Sequence, residues 1–328
     1  MKRITLYLLA AVACLSLSAI NPVTQVKGNF DRSASNHYAY PYGTDADLPA
    51  LTAAPAGYEP FYIDHYGRHG SRWLTNGKVY AYPVKALRGI KEAGMLNQLG
   101  ERLLQALTRI NDACADGSIE QNEVLVTAMK AAIDAGKAVH FMGLLSDGGV
   151  HSHNTHLYAL LEMAKREGLT KVYVHAFLDG RDVPPASAAE YLAELEEKIK
   201  DIGVGKIAVI SGRYYAMDRD KRWERVVVAY DAIAKGEGKH AASSKEAIEA
   251  SYNDKSEKPE GVTDEFVVPV VIGDYKGMKS GDGVIFYNFR PDRARELTHA
   301  FTDTNFEGFK RVENLKLYFT AMTQYEKG

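Results

Sequence analysis

Five arginines occupy equivalent positions in the second half of the chain, each in the turn that follows an apolar segment typical of a β-strand. His151 has the same kind of position, after the run L-L-S-D-G-G-V, whose two glycines allow a tight turn. Because parallel strands end at one edge of a sheet, we expect these turns to converge in a single crevice. Guanidinium groups bind phosphate and carboxylate oxygens through paired hydrogen bonds, so the crevice should suit a small ligand carrying both groups. The arginines are Arg181, Arg213, Arg219, Arg290 and Arg293.

Other interpretations of these residues stay open. Each arginine has an aspartate nearby in the sequence, and an isolated pair of this kind is often a weak surface ion pair. The His151-x-His153 spacing can bind zinc, but no cluster of carboxylates or cysteines elsewhere completes such a site, and no metal site is predicted. His153 and His156 are expected to be structural or to support the residues that contact the ligand.

A second group of reactive residues lies in the first half, where Arg68, His69 and Arg72 follow the apolar segment 61–66. A histidine between two arginines is poorly placed to be cationic, which favours a neutral, nucleophilic imidazole. The flanking guanidinium groups could hold a phosphate while this imidazole attacks phosphorus. The alternative is a solvated basic turn.

The elements that must position the first group alternate between strand and helix along the chain. This alternation predicts an α/β fold with a parallel sheet covered by helices on both faces, in three layers. The predicted strands are 139–145, 172–178, 207–210, 266–272, 284–289 and 315–323. The predicted helices are 82–104, 124–135, 186–200, 223–235 and 244–252.

The composition is that of a soluble globular protein, with 46% hydrophobic and 25% charged residues. A formal net charge of -2 gives no reason to expect nucleic acid or a membrane surface as a partner. Two cysteines, Cys14 and Cys114, are too few for a disulfide framework or a cysteine metal site. We therefore expect a monomer that binds a small molecule.

Residues 1–19 have the organisation of a secretory signal peptide. Lys2 and Arg3 precede the apolar run 4–17, and small residues near Ala19 offer a cleavage site. The run is too short for a comfortable transmembrane span, so no membrane association is expected after cleavage. The alternative is a buried N-terminal helix.

The R-H-G-S-R sequence after a strand resembles the histidine acid phosphatases, in particular the multiple inositol polyphosphate phosphatase branch of secreted bacterial enzymes. The resemblance covers about residues 1–105. It implies that His69 is a phosphorylated nucleophile and that Arg68 and Arg72 bind phosphate. The family also requires a distal His-Ala-Glu or His-Asp motif as proton donor, and the sequence contains neither. Residues 20–106 are therefore interpreted as an incomplete α/β histidine-phosphatase fragment without activity.

Four motifs in the second half carry another resemblance, over residues 107–328. L-L-S-D-G-G-V-H-S-H, F-L-D-G-R-D, S-G-R-Y-Y-A-M-D-R-D-K-R-W and F-Y-N-F-R-P-D-R-A-R look like the cofactor-independent phosphoglycerate mutase family. The resemblance implies a substrate-binding phosphotransferase domain that holds phosphoglycerate while its phosphoryl group moves between the 2- and 3-hydroxyls. Asp182 becomes a candidate proton shuttle. The residues implied to bind substrate are His151, Arg181, Asp182, Arg213, Arg219, Arg290 and Arg293.

The sequence departs from that family in two respects. The family's other, alkaline-phosphatase-like domain carries a serine nucleophile in a G-N-S-E-V-G motif and ligands for two Mn2+ ions. The corresponding stretch before Leu107 reads E-A-G-M-L-N-Q-L-G-E, without a serine, and the metal ligands expected after Tyr325 are absent from the sequence. The favoured hypothesis is therefore a domain that binds phosphoglycerate but does not turn it over alone.

Two further hypotheses remain. One is a secreted inositol polyphosphate phosphatase, and the other is a non-catalytic phosphate-binding fragment or misassembled fusion. The predicted location is also in conflict, because a signal peptide implies export and a glycolytic domain implies the cytoplasm.

Overall fold

The structure is a computed structural model that describes residues 98–256, 261–313 and 315–326, with the side chains of the first helix described from residue 105. The predictions for the signal peptide, for most of the phosphatase-like fragment and for Arg68, His69 and Arg72 lie outside the described residues. The boundary proposed at residue 107 falls within a continuous helix, Gln98–Ala115.

Within the described residues, seven strands form one sheet that is mostly parallel. In chain order the strands are β1 Val139–Leu144, β2 Val172–Leu178, β3 Lys206–Gly212, β4 Lys239–Ala241, β5 Val270–Ile272, β6 Gly283–Phe286 and β7 Tyr318–Ala321. Their spatial order is β4-β5-β3-β2-β1-β6-β7. The chain thus proceeds from β1 to one side through β2 and β3, and later returns to the other side of β1 with β6. The crevice between the β1 and β6 loops lies at the switch point where ligands bind in such sheets.

Helices cover both faces of this sheet, as the alternating pattern predicts. In chain order they are α1 Gln98–Ala115, α2 Glu123–Asp134, α3 Asn154–Arg166, α4 Ala188–Ile202, α5 Arg213–Ala216, α6 Trp223–Lys235, α7 Ser244–Asn253 and α8 Arg295–Thr302. Apolar residues of α2, α3, α4 and α7 form one buried cluster with the sheet, and those of α6 and α8 form the other. None of the described helices is both long and apolar enough to cross a membrane.

The helix ends follow local sequence signals. Asn122 caps α2 by accepting hydrogen bonds from the backbone N–H groups of Val124 and Leu125. Ser243 caps α7 in the same way through the N–H of Glu246. α4 ends at Gly203, in the left-handed conformation that glycine adopts without steric cost. These local choices agree with the layered fold.

The sheet differs from the prediction on its β4 side. β5 runs antiparallel to β3, and β4, parallel to β5, forms the edge of the sheet within a stretch predicted to lack strands. The predicted strand 266–272 is wrong over its first part, because 264–266 form a 3₁₀ turn and only Val270–Ile272 pairs. Pro269 precedes the paired segment and has no N–H for a ladder. β6 stops at Phe286 rather than residue 289, because the Asn288 side chain takes over the backbone N–H of Leu144.

Candidate active site

The candidate site is built from the loops that follow β1, β2, β3 and β6 at their carboxyl ends. The β1 and β6 loops are joined directly, since the N–H of Phe289 donates to the carbonyl of His151 at 2.8 Å. The hydroxyl of Ser152 donates to the carbonyl of Leu144 at 2.6 Å, which folds the β1 loop back onto its own strand. These hydrogen bonds fix the loops that carry the polar side chains of the site.

Arg213 lies at the centre of this site and has only 3% of its side chain exposed. Its Nη1 donates to Asp179 Oδ1 and to Asp182 Oδ2, both at 2.6 Å. Its Nη2 lies 2.9 Å from His151 Nε2. Burial opposes the charge of the guanidinium, but Asp182 and Asp179 outweigh burial and raise the pKa of Arg213 above its ordinary value. Arg213 is thus a fixed positive charge linking the β1, β2 and β3 loops.

His151 presents a neutral imidazole with one N–H group free to donate. An arginine cannot accept a hydrogen bond, so His151 Nε2 is the acceptor and the ring proton resides on Nδ1. Nδ1 is buried without a hydrogen-bond partner, 3.7 Å from Asp292 Oδ1. Burial, reinforced by Arg213 and the other nearby arginines, keeps the pKa of His151 well below its ordinary value. The ring can therefore donate to an anion without itself carrying charge.

Asp179 and Asp182 share Arg213 but differ in environment. Asp179 is enclosed, accepting hydrogen bonds from Ser146 Oγ at 2.7 Å and from the N–H of Asp182 at 2.9 Å. Burial and the charge of Asp182 raise the pKa of Asp179, against the opposing effect of Arg213. Asp182 is the more exposed of the two, with 11% of its side chain accessible against 1% for Asp179. Asp182 is therefore the carboxylate that can reach a ligand.

Asp292 connects two of the arginines. Its Oδ2 accepts from Arg219 Nη1 at 3.0 Å, and its Oδ1 accepts from Arg290 Nε at 2.8 Å. Although burial opposes ionisation, Arg290 and Arg219 hold the pKa of Asp292 below its ordinary value. An ionised Asp292 thus aligns guanidinium groups from two separate loops.

Arg293 has a different environment. Its Nη1 donates to the backbone carbonyl of Met217 at 3.0 Å, and no carboxylate of the described residues forms an ion pair with it. Burial and the charges of Arg213, Arg219 and Arg181 lower its pKa to about 10. Arg293 is thus a half-buried cation without an ion-pair partner among the described carboxylates, and an anion would be attracted next to it.

Arg181 stands at the edge of the site, held by Glu265 Oε1 at 2.8 Å. Glu265 belongs to a 3₁₀ turn, Asp264–Phe266, that packs directly on the end of β3. A Cβ at Gly212 would lie 2.4 Å from the carbonyl oxygen of Glu265, so only glycine allows this approach. Gly212 also donates its N–H to Val267 O at 2.7 Å, which fixes the turn that carries Glu265.

The part of the chain that forms this site matches a family of known proteins. Residues 110–327 match the family described as BPG-independent PGAM N-terminus (iPGM_N), which is two-thirds of the chain. The chain belongs to the BPG-independent phosphoglycerate mutase family. The predicted resemblance of the second half is thereby confirmed, whereas the histidine-phosphatase resemblance of the first half stays a prediction.

Individual mutases of this family are similar over the same part of the chain. The 2,3-bisphosphoglycerate-independent phosphoglycerate mutase of Clostridium beijerinckii is 54% identical over 244 residues, covering 73% of this chain and 46% of the relative. That of Moorella thermoacetica is 51% identical over 262 residues, covering 78% of this chain and 50% of the relative. The chain therefore spans about half the length of the mutases it matches.

A solved structure has the same fold. Crystals of Leishmania mexicana phosphoglycerate mutase at low cobalt concentration contain a chain with a TM-score of 0.64 and 34% sequence identity. The match covers 68% of this chain and 42% of that one. The three-layer α/β fold predicted for the second half is confirmed.

The structure brings the predicted substrate-binding residues of the mutase-like half together at one edge of the sheet. Two arginines form ion pairs with carboxylates that are distant in the sequence rather than with the nearest aspartate. Arg181 pairs with Glu265, and Arg219 pairs with Asp292. Sequence analysis assigned no role to Asp179 or Glu265. Asp179 stands directly after β2, and that position was a usable signal. Glu265 is 84 residues from Arg181, and nothing in the sequence indicates the contact.

The neighbouring histidines, His153 and His156, form hydrogen bonds within and next to α3. His153 caps α3 by accepting from the N–H of Thr155, and His156 Nε2 lies 2.6 Å from Asn111 Oδ1. Among the described residues, no group of three or more His, Cys, Asp or Glu side chains is placed to hold a metal ion. The two Mn2+ ions that the family resemblance implies stay an expectation, and no step is assigned to them.

Proposed function

We propose that this chain provides the substrate-binding half of a phosphoglycerate mutase, binding 3-phosphoglycerate or 2-phosphoglycerate in the arginine crevice. The observation that carries the proposal is the convergence of arginines from three loops on a neutral histidine, with Arg293 left unpaired by the carboxylates of the described residues. A phosphoglycerate carries a phosphate and a carboxylate, and guanidinium groups bind both in a bidentate manner. The mutases to which the chain is similar support the same substrate.

Each group has a distinct role in this proposal. Arg293 and its neighbours attract the anion, and the Nδ1–H of His151 donates one further hydrogen bond to it. Asp182 is the proposed proton shuttle, accepting the proton of the attacking hydroxyl and returning it to the leaving oxygen. Its carboxylate is oriented by Arg213 at 2.6 Å, so the acceptor is positioned before substrate arrives. Positioning and charge neutralisation are the main contributions that a protein makes to phosphoryl transfer.

The proposal does not include turnover by this chain alone. The family resemblance implies a serine nucleophile, and the stretch of this sequence that corresponds to its motif contains no serine. The chain also covers only 46% of the Clostridium beijerinckii mutase, so the isomerase reaction of that whole enzyme is not assigned to it. We expect binding without interconversion of the two phosphoglycerates.

Calorimetric titration of 3-phosphoglycerate into the full chain tests the proposal. We expect saturable binding by the wild type, and its loss in the double variant Arg290→Ala, Arg293→Ala. The matched control is Arg166→Ala, because Arg166 is an exposed arginine of α3 paired with Glu120 and far along its helix from the site. This control should bind as tightly as the wild type.

Three results are informative. Equal binding by the wild type and the double variant would show that the ligand binds elsewhere. No binding by the wild type would refute the proposed site in the isolated chain. Steady conversion of 3-phosphoglycerate to 2-phosphoglycerate, followed by coupled assay, would contradict the expected lack of turnover.

A second proposal concerns residues outside the described part of the structure. The R-H-G-S-R sequence supports a histidine phosphatase fragment in which His69 is the nucleophile, with Arg68 and Arg72 binding phosphate. Because the sequence lacks the distal proton-donor motif, we expect no hydrolysis of phytate by the full chain. Phytate hydrolysis that disappears in His69→Ala would instead establish an inositol polyphosphate phosphatase.

The proposed location depends on which half directs the chain. Residues 1–19 predict export, whereas a phosphoglycerate-binding function belongs with glycolysis in the cytoplasm. Cell fractionation with N-terminal sequencing decides between them, since an exported chain should begin near Ala19.

A further inference from the structure

The loop 217–222, between α5 and α6, carries Arg219 and is joined to the segment that carries Arg290 and Arg293. Arg293 Nη1 donates to the carbonyl of Met217 at 3.0 Å, and Arg219 Nη1 donates to Asp292 at 3.0 Å. A third contact lies further from the crevice, where the N–H of Lys221 donates to Glu296 Oε1 at 2.6 Å. The first two contacts are made by arginines of the crevice, whereas the third is made by Glu296, which is not one of the proposed ligand-binding residues.

Glu296 has an environment that is unusual for a glutamate. It lies in the first turn of α8 with 7% of its surface exposed. Its partner Lys221 has a φ of 55°, the one positive φ among non-glycine residues of the described part of the chain. Left-handed backbone is unfavourable for a lysine and persists only where surrounding contacts enforce it. The short hydrogen bond to Glu296 is such a contact.

The second carboxylate oxygen of Glu296 identifies its state. Oε2 is buried and receives no hydrogen bond from any donor in the described residues, and buried Asp218, three residues before Lys221, is one of the groups that raise the pKa of Glu296. Asp218 already accepts hydrogen bonds from the N–H groups of Asp220 at 2.9 Å and Arg222 at 3.0 Å. A buried carboxyl oxygen without a donor is satisfied when the carboxyl group carries a proton, which it can then donate to a neighbouring carboxylate.

We propose that protonated Glu296 is a positioning residue that holds the Arg219 loop against the Arg290–Arg293 segment and releases it on losing its proton. The proposal deepens the function proposed above and rests on it, since the affected property is anion binding by these arginines. In the protonated state Glu296 accepts from Lys221 and donates to Asp218. In the ionised state the two carboxylates repel each other and the loop loses this contact.

The surrounding charges place the change near neutral pH. Burial raises the pKa of Glu296 to about 7, with Asp218 and Asp220 adding to the effect and the N–H of Lys221 opposing it. The other charged groups that face the pair are Arg222 and Arg225, whose Nη1 atoms lie 3.6 and 3.7 Å from Asp218 Oδ1. On α8 itself, Arg295 and His299 are engaged by Glu326. Asp218 has its pKa lowered, against burial, by its backbone hydrogen bonds, so the shared proton belongs to Glu296.

The test is the pH dependence of anion binding in Glu296→Gln. A glutamine keeps both hydrogen bonds, since its oxygen accepts from Lys221 and its amide donates to Asp218, but it does not titrate. Inorganic sulfate is the probe, together with 3-phosphoglycerate, because the charge of sulfate stays constant over the pH range used. The matched control is Glu224→Gln, which removes the same charge from an exposed residue in the first turn of α6.

We expect sulfate affinity of the wild type and of Glu224→Gln to fall about fivefold between roughly pH 6 and pH 8.5, and that of Glu296→Gln to change less than about twofold. Identical pH profiles for the wild type and Glu296→Gln would overturn the proposal. Hydrogen exchange at the N–H of Lys221 gives a second measurement that requires no ligand. Its protection should decrease across the same range in the wild type and stay constant in Glu296→Gln.

The two proposals fail in different ways. If the wild type binds neither sulfate nor 3-phosphoglycerate at any pH, the proposed function fails. The exchange measurement then still decides whether Glu296 holds the loop, and pH-independent protection at Lys221 would overturn that inference by itself.

Discussion

Replacing Arg213 by methionine should destabilise the fold more than any loss of a surface ion pair. The methionine fills similar space but removes the guanidinium that binds Asp179 and Asp182 at 2.6 Å each. Both carboxylates would remain in place, with 1% and 11% of their side chains exposed. The variant therefore leaves two negative charges side by side without a counter-ion.

The expected magnitude follows from the burial of this group. Removing one partner of a buried ion pair typically costs about 3–5 kcal/mol, because the remaining charge is left uncompensated. The cost in Arg213→Met should fall as the pH is lowered from about 7 towards 5, since burial and Asp182 already raise the pKa of Asp179 and the carboxyl can take up a proton. A protonated carboxyl carries no charge that the guanidinium would have to compensate. The difference in unfolding free energy between wild type and variant should therefore become smaller on acidification.

Urea unfolding followed by circular dichroism measures this effect. A loss of 3–5 kcal/mol corresponds to a midpoint lower by about 1–2 M for a domain of this size. The control is Arg222→Met, because Arg222 also pairs with an aspartate, Asp220, but has 44% of its side chain exposed. An exposed pair of this kind should contribute much less to stability than the buried pairs of Arg213.

Equal losses of stability in Arg213→Met and Arg222→Met would refute the stabilising role assigned to Arg213. A loss of the expected size that did not diminish at low pH would also count against it, because it would trace the cost to packing rather than to the uncompensated carboxylates. The double variant Arg213→Met, Asp179→Asn separates these causes and should recover part of the lost stability.

Two further predictions concern the turn that holds Arg181. Gly212→Ala should lower stability by about 1–3 kcal/mol and weaken 3-phosphoglycerate binding, because a Cβ would lie 2.4 Å from the carbonyl oxygen of Glu265. Unchanged urea unfolding and unchanged binding would contradict the described packing. Burial raises the pKa of Asp264 to about 6, so its neutral form favours folding and stability should decline by about 3 kcal/mol as the pH rises from about 4 to 6. Asp264→Asn should lack this slope in urea unfolding, and an identical slope would assign it to another group.

Much of the fold could be predicted because its signals are local. β2 has the predicted bounds, Val172–Leu178, because a strand buried on both faces is a continuous apolar run. The convergence of the arginines was also predictable, because it requires only that several parallel strands end at the same edge.

The parts that were missed depend on contacts remote in sequence. β4 has three residues, two of them the exposed Lys239 and His240, so it has no apolar pattern and exists because β5 supplies its hydrogen bonds. The antiparallel pairing of β5 with β3 depends on the direction in which the chain returns to β3. No local sequence pattern indicates this direction. The position of Asp179 directly after β2 could have indicated a site residue, but its contact with Arg213 forms only because β2 and β3 are adjacent.

The pairing of the arginines also has a consequence for discrimination between ligands. Arg213, Arg219, Arg290 and Arg181 each hold a carboxylate of the protein, so an incoming anion must compete with Asp182, Asp292 or Glu265 for the same hydrogen bonds. A monoanion would gain little from that exchange, because it replaces one single charge by another. A doubly charged phosphate together with a carboxylate gains more than it displaces. The carboxylates of the protein would thus lower the affinity of the site for abundant small monoanions such as chloride or acetate. Multiply charged ligands would still bind.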